Sequence, residues 1–134
     1  MLSRCKIGPV VLASRDRDLH SMVAECLTAL GSQPPRLTTV NSIPDCVVAV
    51  RLLDPCLVLL DDGICAAPGP ALVRDLRQAR ADVSLVYLAT RHSLDLERQV
   101  RCEGVLFYIA HPQGDAVATT RLAHVVKTLL TRTS

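Results

Sequence analysis

Two adjacent carboxylates, Asp61 and Asp62, follow an unbroken apolar run from Leu57 to Leu60 and precede Gly63. A run of this kind is typical of a strand that is buried on both faces of a parallel sheet. In open α/β sheets, ligands bind and chemistry occurs at the carboxyl ends of such strands. A carboxylate placed there can hold a divalent cation or act as a nucleophile. We therefore expect Asp61 to lie at the functional edge of a central strand.

Polar residues also stand at or just after the ends of other predicted strands. Because the carboxyl ends of parallel strands meet at one edge of a sheet, we expect these positions to lie near Asp61. Hydroxyl, imidazole and carboxylate groups can each bind an anion, a cation or a proton there. The positions are Ser14, Arg15, Asp16, Thr90, His92 and His111.

Five strands and five helices alternate along the chain to position these residues. Apolar runs predict the strands, and apolar residues at helical spacing predict the helices. The short connections between them imply a doubly wound parallel sheet in an α/β fold. Strands are predicted at 9–13, 36–40, 57–60, 85–89 and 105–109, and helices at about 19–30, 43–53, 71–81, 94–102 and 115–131. Asp16 or Asp18 is expected to cap the first helix, and Asn41 or Ser42 the second.

This pattern resembles the receiver domain of bacterial two-component response regulators, a family typified by chemotaxis response regulators. The likeness rests on segment 54–61 (DPCLVLLD) and on segment 104–112 (GVLFYIAHP), and it covers essentially the whole chain. It implies a flavodoxin-like (βα)5 fold with strand order 2-1-3-4-5. By the same likeness, Asp61 falls on the phosphoacceptor position, Tyr108 on the aromatic switch position, and Pro112 on the proline that follows the family's lysine.

The departures from the family pattern fall on the same edge. Ser14-Arg15 replaces the acidic pair that holds Mg²⁺, and only Asp16 remains nearby. Ala89 stands where the family has a hydroxyl residue, although Thr90 is its neighbour, and His111 replaces the lysine. The resemblance therefore indicates a degenerate member, or pseudo-receiver.

These departures bear on whether Asp61 can be phosphorylated. Phosphoryl transfer needs Mg²⁺ to neutralise the developing charge, and Mg²⁺ prefers carboxylate oxygens and water as ligands. Asp16 and Asp61 are the predicted metal ligands, and Asp62 is a further carboxylate that could contribute. Because the acidic pair is replaced, we expect no cofactor or a weakly bound Mg²⁺. An inward Arg15 would repel the ion or pair with Asp61. Alternatively, Asp61 is a solvated turn residue.

Composition limits the classes of function. The chain has 134 residues, of which 49% are hydrophobic, with a net charge of +2 and 2% aromatic residues. We expect a single receiver-like domain over 1–134 that binds neither nucleic acid nor membrane, because it lacks a basic face, stacking aromatics and a long apolar run. Without a secretory signal pattern the protein is expected to be cytoplasmic, with its six cysteines reduced.

Three functions remain open. The first is a stand-alone signalling module, not an enzyme, that acts through protein–protein contacts with weak or no Mg²⁺-dependent phosphorylation. The second is a working phosphoacceptor that takes a phosphoryl group on Asp61 from a histidine kinase. The third, a flavodoxin-like enzyme or nucleotide binder, is disfavoured because phosphate-binding glycine loops are missing.

By the resemblance, a histidine kinase or a downstream effector is the expected partner, and a homodimer could form through the fourth helix, fifth strand and fifth helix. That surface would carry basic residues and an aromatic one. They are Arg98, Arg101, Tyr108, Arg121 and Lys127.

Overall fold

The computed structural model describes residues 8–31, 33–65, 69–110 and 116–131. Strands and helices alternate through these ranges, as the sequence predicts. They are β1 (Val10–Ala13), α1 (Arg17–Thr28), β2 (Leu37–Val40), α2 (Ile43–Leu53), β3 (Leu57–Asp61), α3 (Pro70–Ala79), β4 (Leu85–Ala89), α4 (Leu94–Arg101), β5 (Phe107–Ala110) and α5 (Ala116–Thr131). A single 3₁₀ turn, Asp62–Ile64, follows β3 directly.

All strand pairs are parallel, and the strand order is β2-β1-β3-β4-β5. The predicted flavodoxin-like architecture and strand order are therefore confirmed. Among the strands, the largest shift is in β5, which begins at Phe107 and not at Val105, because Leu106 precedes the paired region.

Helices cover both faces of the sheet, which explains the continuous apolar character of the central strands. Side chains alternate along β3, so that Leu57 and Leu59 pack with α1 and α5, while Val58 and Leu60 pack with α2 and α3. All five residues of β3 are buried. Since burial of a leucine side chain contributes about 1.5–3 kcal/mol, this strand fixes the position of Asp61 at its end.

Side-chain caps set where three helices begin. The Asp16 side chain accepts a hydrogen bond from the backbone N–H of Leu19 at the start of α1, and Ser42 caps α2. These two residues are the observed caps among the predicted alternatives. Ser93 caps α4 in the same way and so fixes the chain just beyond Thr90.

No helix within the described ranges is long and apolar enough to cross a membrane. Five of the six cysteines lie in those ranges, and Cys26, Cys46, Cys56 and Cys102 are free thiols. Burial raises the pKa of the Cys46 thiol to about 12, so this side chain behaves as a small apolar group of the core.

Candidate functional site

Asp61 ends β3 and is 5% exposed. Its Oδ2 accepts a hydrogen bond from the Ser14 hydroxyl at 2.7 Å. Its Oδ1 accepts from the Thr90 hydroxyl at 3.0 Å and from the backbone N–H of Gly63 at 2.9 Å. Both carboxylate oxygens are thus bonded to neutral donors of this chain, which is not the arrangement of a solvated turn residue.

Ser14 reaches Asp61 because β1 lies beside β3, with Ala13 opposite Leu60. The residues that follow them, Ser14 and Asp61, therefore lie opposite each other. Ser14 is fully buried, and its hydroxyl oxygen also accepts the backbone N–H of Asp16 at 3.0 Å. The Ser14 carbonyl oxygen lies 2.7 Å from His20 Nε2, so this nitrogen carries the proton. Ser14 is consequently held from three sides.

Arg15 does not occupy the position beside Asp61 that an inward side chain would take. Its side chain is exposed, and its Nε donates to the carbonyl oxygen of Asn41 at 3.2 Å. The residue that contacts the carboxylate is its neighbour Ser14. The cation that would repel Mg²⁺ is therefore turned away, and a buried hydroxyl stands in its place.

At the end of β4, Ala89 is buried in the core and Thr90 supplies the hydroxyl group. Gly63 lies close beneath this contact: a Cβ atom built there would be 2.9 Å from Thr90 Oγ1 and 3.2 Å from Asp61 Oδ1. A side chain at position 63 would therefore push the threonine and the carboxylate apart.

Asp62 points the other way, into the protein, and is 3% exposed. Its Oδ2 accepts from the Tyr87 hydroxyl at 2.8 Å, and its Oδ1 accepts from the backbone N–H of Thr90 at 2.8 Å. Burial, and then the bond to this carboxylate, raises the pKa of Tyr87 well above its usual range. Both oxygens of Asp62 are therefore hydrogen-bonded inside the protein, and its carboxylate faces away from that of Asp61.

Sequence reasoning missed this buried pair, although one signal was present. Tyr87 lies in the middle of the apolar strand 85–89, where its hydroxyl must find a partner inside the protein. A carboxylate at the end of the adjacent strand is the natural acceptor. The same reasoning could not tell which of the two aspartates turns inward.

Tyr108 is 5% exposed and lies beneath α4, and so contributes little to the surface where the sequence places it. Its ring stacks on Tyr87 with a centroid separation of 5.7 Å, and its hydroxyl lies 3.0 Å from Nδ1 of His92. The Arg101 guanidinium carbon is 5.9 Å from the ring centroid. Burial first, and then the charges of Glu97 and Asp62, raise the pKa of Tyr108 to about 12.

The predicted magnesium ligands do not come together as an ion would require. The Asp16 side chain is used as the cap of α1, Asp62 faces inward, and the Asp61 oxygens are bonded to Ser14, Thr90 and Gly63. Within the described ranges, no group of three or more His, Cys, Asp or Glu side chains could hold a metal ion. His111 and Pro112 lie outside the described residues. The described part of the site therefore does not fit Mg²⁺.

Comparison with known proteins finds similar structures. No protein-family model and no curated protein matches this sequence. A response regulator from Hahella chejuensis has a TM-score of 0.79 at 17% identity, covering 95% of this chain and 98% of that one. The phosphorylated cyanobacterial phytochrome response regulator RcpA has a TM-score of 0.76 at 16% identity, covering 96% and 98%.

A third similar structure is the signal receiver domain of a LuxO repressor protein from Vibrio parahaemolyticus. It has a TM-score of 0.75 at 19% identity and covers 94% of this chain and 92% of that chain. In each case the likeness extends over nearly the whole of both chains. The fold of this chain is that of a response regulator receiver domain.

Proposed function

We propose that this chain is a receiver-like signalling module that acts through protein–protein contacts and is not switched by Mg²⁺-dependent phosphorylation of Asp61. The observation that carries the proposal is the set of neutral donors around Asp61, namely the Ser14 hydroxyl, the Thr90 hydroxyl and the Gly63 N–H. Residues 1–134 would form this module as one domain, and the expected location is the cytoplasm.

The charges at this edge of the sheet oppose phosphorylation of Asp61. A phosphoryl group arriving at Asp61 would add negative charge beside an existing carboxylate, and a divalent cation normally neutralises it. Ser14 is neutral, and its hydroxyl is already engaged with Asp61 and with the N–H of Asp16. Mg²⁺ would have to break these bonds and gain one carboxylate in return. Binding is therefore expected to be weak or undetectable.

The surface around α4, β5 and α5 supports a role in protein contacts. It exposes large apolar side chains next to basic ones, a combination that suits binding to another protein better than solvation alone. Leu94 is 71% exposed and Val117 is 77% exposed. Leu106, Phe107, Arg98, Arg121 and Lys127 are also exposed. A homodimer, a histidine kinase or a downstream effector would bind here.

Mg²⁺ titration followed by ¹⁵N-resolved NMR tests the proposal. In the wild type, the amide signals of Gly63 and Asp16 should not move with millimolar Mg²⁺. The Ser14→Asp variant places a second carboxylate beside Asp61 and should gain saturable shifts. Ser42→Asp is the matched control, because it adds the same charge at a helix cap that favours Asp, at a residue that caps α2 and is not a donor to Asp61. Saturable shifts of Gly63 in the wild type would contradict the proposal.

A working phosphoacceptor is the second candidate, and one observation favours it. The Thr90 hydroxyl lies 3.0 Å from Asp61 Oδ1, so a hydroxyl stands beside the carboxylate despite Ala89. A histidine kinase would then be the partner. Phosphate incorporation separates this candidate from the first.

A further inference from the structure

A path of buried contacts leads from the edge beside Asp61 to the surface at α4, and it begins at Asp62. This carboxylate is 3% exposed and accepts one hydrogen bond on each oxygen, from the Tyr87 hydroxyl and from the Thr90 N–H, both at 2.8 Å. A buried charge is costly unless it is hydrogen-bonded, so these two donors fix the direction in which Asp62 points.

Tyr87 is the second member of the path. It is fully buried within β4, and its hydroxyl both donates to Asp62 and accepts the backbone N–H of Gly69 at 3.0 Å. The hydroxyl is therefore satisfied as donor and as acceptor. Since the ring is held by the strand at one end and by two hydrogen bonds at the other, it offers a fixed surface to whatever packs on it.

Tyr108 packs on that surface. The two tyrosines are register partners in β4 and β5, and their rings stack with an interplanar angle of 3°. Stacked aromatic pairs contribute about 0.5–1.5 kcal/mol beyond the area that they bury. On its outer side, Tyr108 meets His92 Nδ1 at 3.0 Å, while Arg101, bonded to Glu97, lies over the ring.

We propose that Asp62 and Tyr87 hold Tyr108 in its buried orientation, so that the surface of α4 and β5 keeps one form whatever the state of Asp61. The path passes through Asp62, whereas Asp61 bonds to Ser14, Gly63 and the hydroxyl of Thr90. The inference rests on the proposed function in taking this surface as the one that partners contact.

Fluorine NMR of protein labelled with 3-fluorotyrosine tests the inference directly, because the chain has two tyrosines and no tryptophan. The signal that disappears in Tyr108→Phe is that of Tyr108, which assigns both. Asp62→Asn is the test variant: its amide can still accept from the Thr90 N–H, but its NH₂ group then faces the Tyr87 hydroxyl, whose proton loses its acceptor. Asp61→Asn is the matched control at the adjacent buried position.

In the wild type, both signals should be narrow and protected from a soluble paramagnetic reagent. In Asp62→Asn, the Tyr108 signal should shift by several line widths or split, and should broaden with the reagent. In Asp61→Asn it should stay within one line width of the wild type. An unmoved Tyr108 signal in Asp62→Asn, or an equal displacement in Asp61→Asn, would overturn the inference.

If Asp62→Asn does not fold, Tyr87→Phe removes the same hydrogen bond from the other side and leaves one tyrosine signal. That signal should move and broaden in the same way, and an unmoved signal there would overturn the inference. The proposed function fails by a different readout, namely stoichiometric Mg²⁺-dependent phosphate on Asp61.

If such labelling is found while the Tyr108 signal moves in Asp62→Asn and not in Asp61→Asn, the proposed function is rejected and the inference stands.

Discussion

The bond between Ser14 and Asp61 should be measurable as a coupling free energy. Ser14 is fully buried and donates to a buried carboxylate at 2.7 Å. A hydrogen bond to a charged group contributes about 1.5–3 kcal/mol, whereas one between neutral groups contributes about 0.5–1.5 kcal/mol. Ser14→Ala should therefore lower the free energy of unfolding by about 2–3 kcal/mol, since it also removes the acceptor for the N–H of Asp16.

The same substitution should cost less when Asp61 is no longer charged. In an Asp61→Asn background, Ser14→Ala still removes the acceptor for the N–H of Asp16, but its bond to residue 61 is one between neutral groups, so its cost should fall by about 1–2 kcal/mol. The difference between the two costs is the coupling free energy, and the values above place it at about 1–2 kcal/mol. Asp61→Asn alone is also destabilising, because its NH₂ group must face a donor.

Urea unfolding of the wild type, the two single variants and the double variant, followed by circular dichroism, gives this coupling. Ser42→Ala serves as the matched control: the Ser42 hydroxyl caps α2 by accepting the N–H of Asp45, and the donors to Asp61 are Ser14, Gly63 and Thr90, so its cost should add to that of Asp61→Asn. A Ser14–Asp61 coupling below about 0.5 kcal/mol is within simple additivity. Such a value would refute the conclusion that Ser14 stabilises the charged Asp61 carboxylate.

Three further perturbations follow from the described contacts. Gly63→Ala places a Cβ atom 2.9 Å from the Thr90 hydroxyl oxygen, so urea unfolding should show a loss of about 1–3 kcal/mol; a neutral result would mean that the loop yields freely. Arg77→Met removes bonds to carbonyl oxygens in the loops after α3 and α4 and should cost about 2–3 kcal/mol, whereas Arg74→Met, with an exposed ion pair to Glu103, should cost less than about 1 kcal/mol. Because the pKa of Tyr108 is raised to about 12 and that of Tyr87 also rises, the folded state holds these protons more tightly, so stability should be full below pH ~10 and should fall as the pH rises through 12; phenolate absorbance appearing near pH 10 in the folded protein would contradict this.

Much of the fold could be read from the sequence, because each element carries a local pattern. The apolar run Leu57 to Leu60 specifies a strand buried on both faces, and the alternation of runs with helical spacing specifies a parallel sheet. The start of β5 is harder to place. Val105 and Leu106 are as apolar as the strand itself, so only pairing with β4 shows that the strand starts at Phe107.

The site could be predicted only as a set of positions. The predicted strand ends place Ser14, Asp61 and Thr90 at one edge of the sheet. Their hydrogen bonds depend on the direction of each side chain, which the identity of a residue does not reveal. Arg15 and Ser14 are adjacent, and the direction of the chain after β1 decides which of them faces the carboxylate. For the same reason, the inward turn of Asp62 depends on Tyr87, which lies 25 residues further along the chain.

Phosphate incorporation at Asp61 separates a module that is not switched by phosphorylation from a working phosphoacceptor. The protein is incubated with Mg²⁺ and a small acyl phosphate, and its intact mass is measured at short times before any phosphoryl group is lost. No gain of mass is expected in the wild type, and a measurable gain is expected in Ser14→Asp combined with Arg15→Asp, which places a carboxylate beside Asp61 and removes the neighbouring cation. A stoichiometric, Mg²⁺-dependent gain of one phosphoryl group in the wild type, abolished by Asp61→Asn, would contradict this expectation.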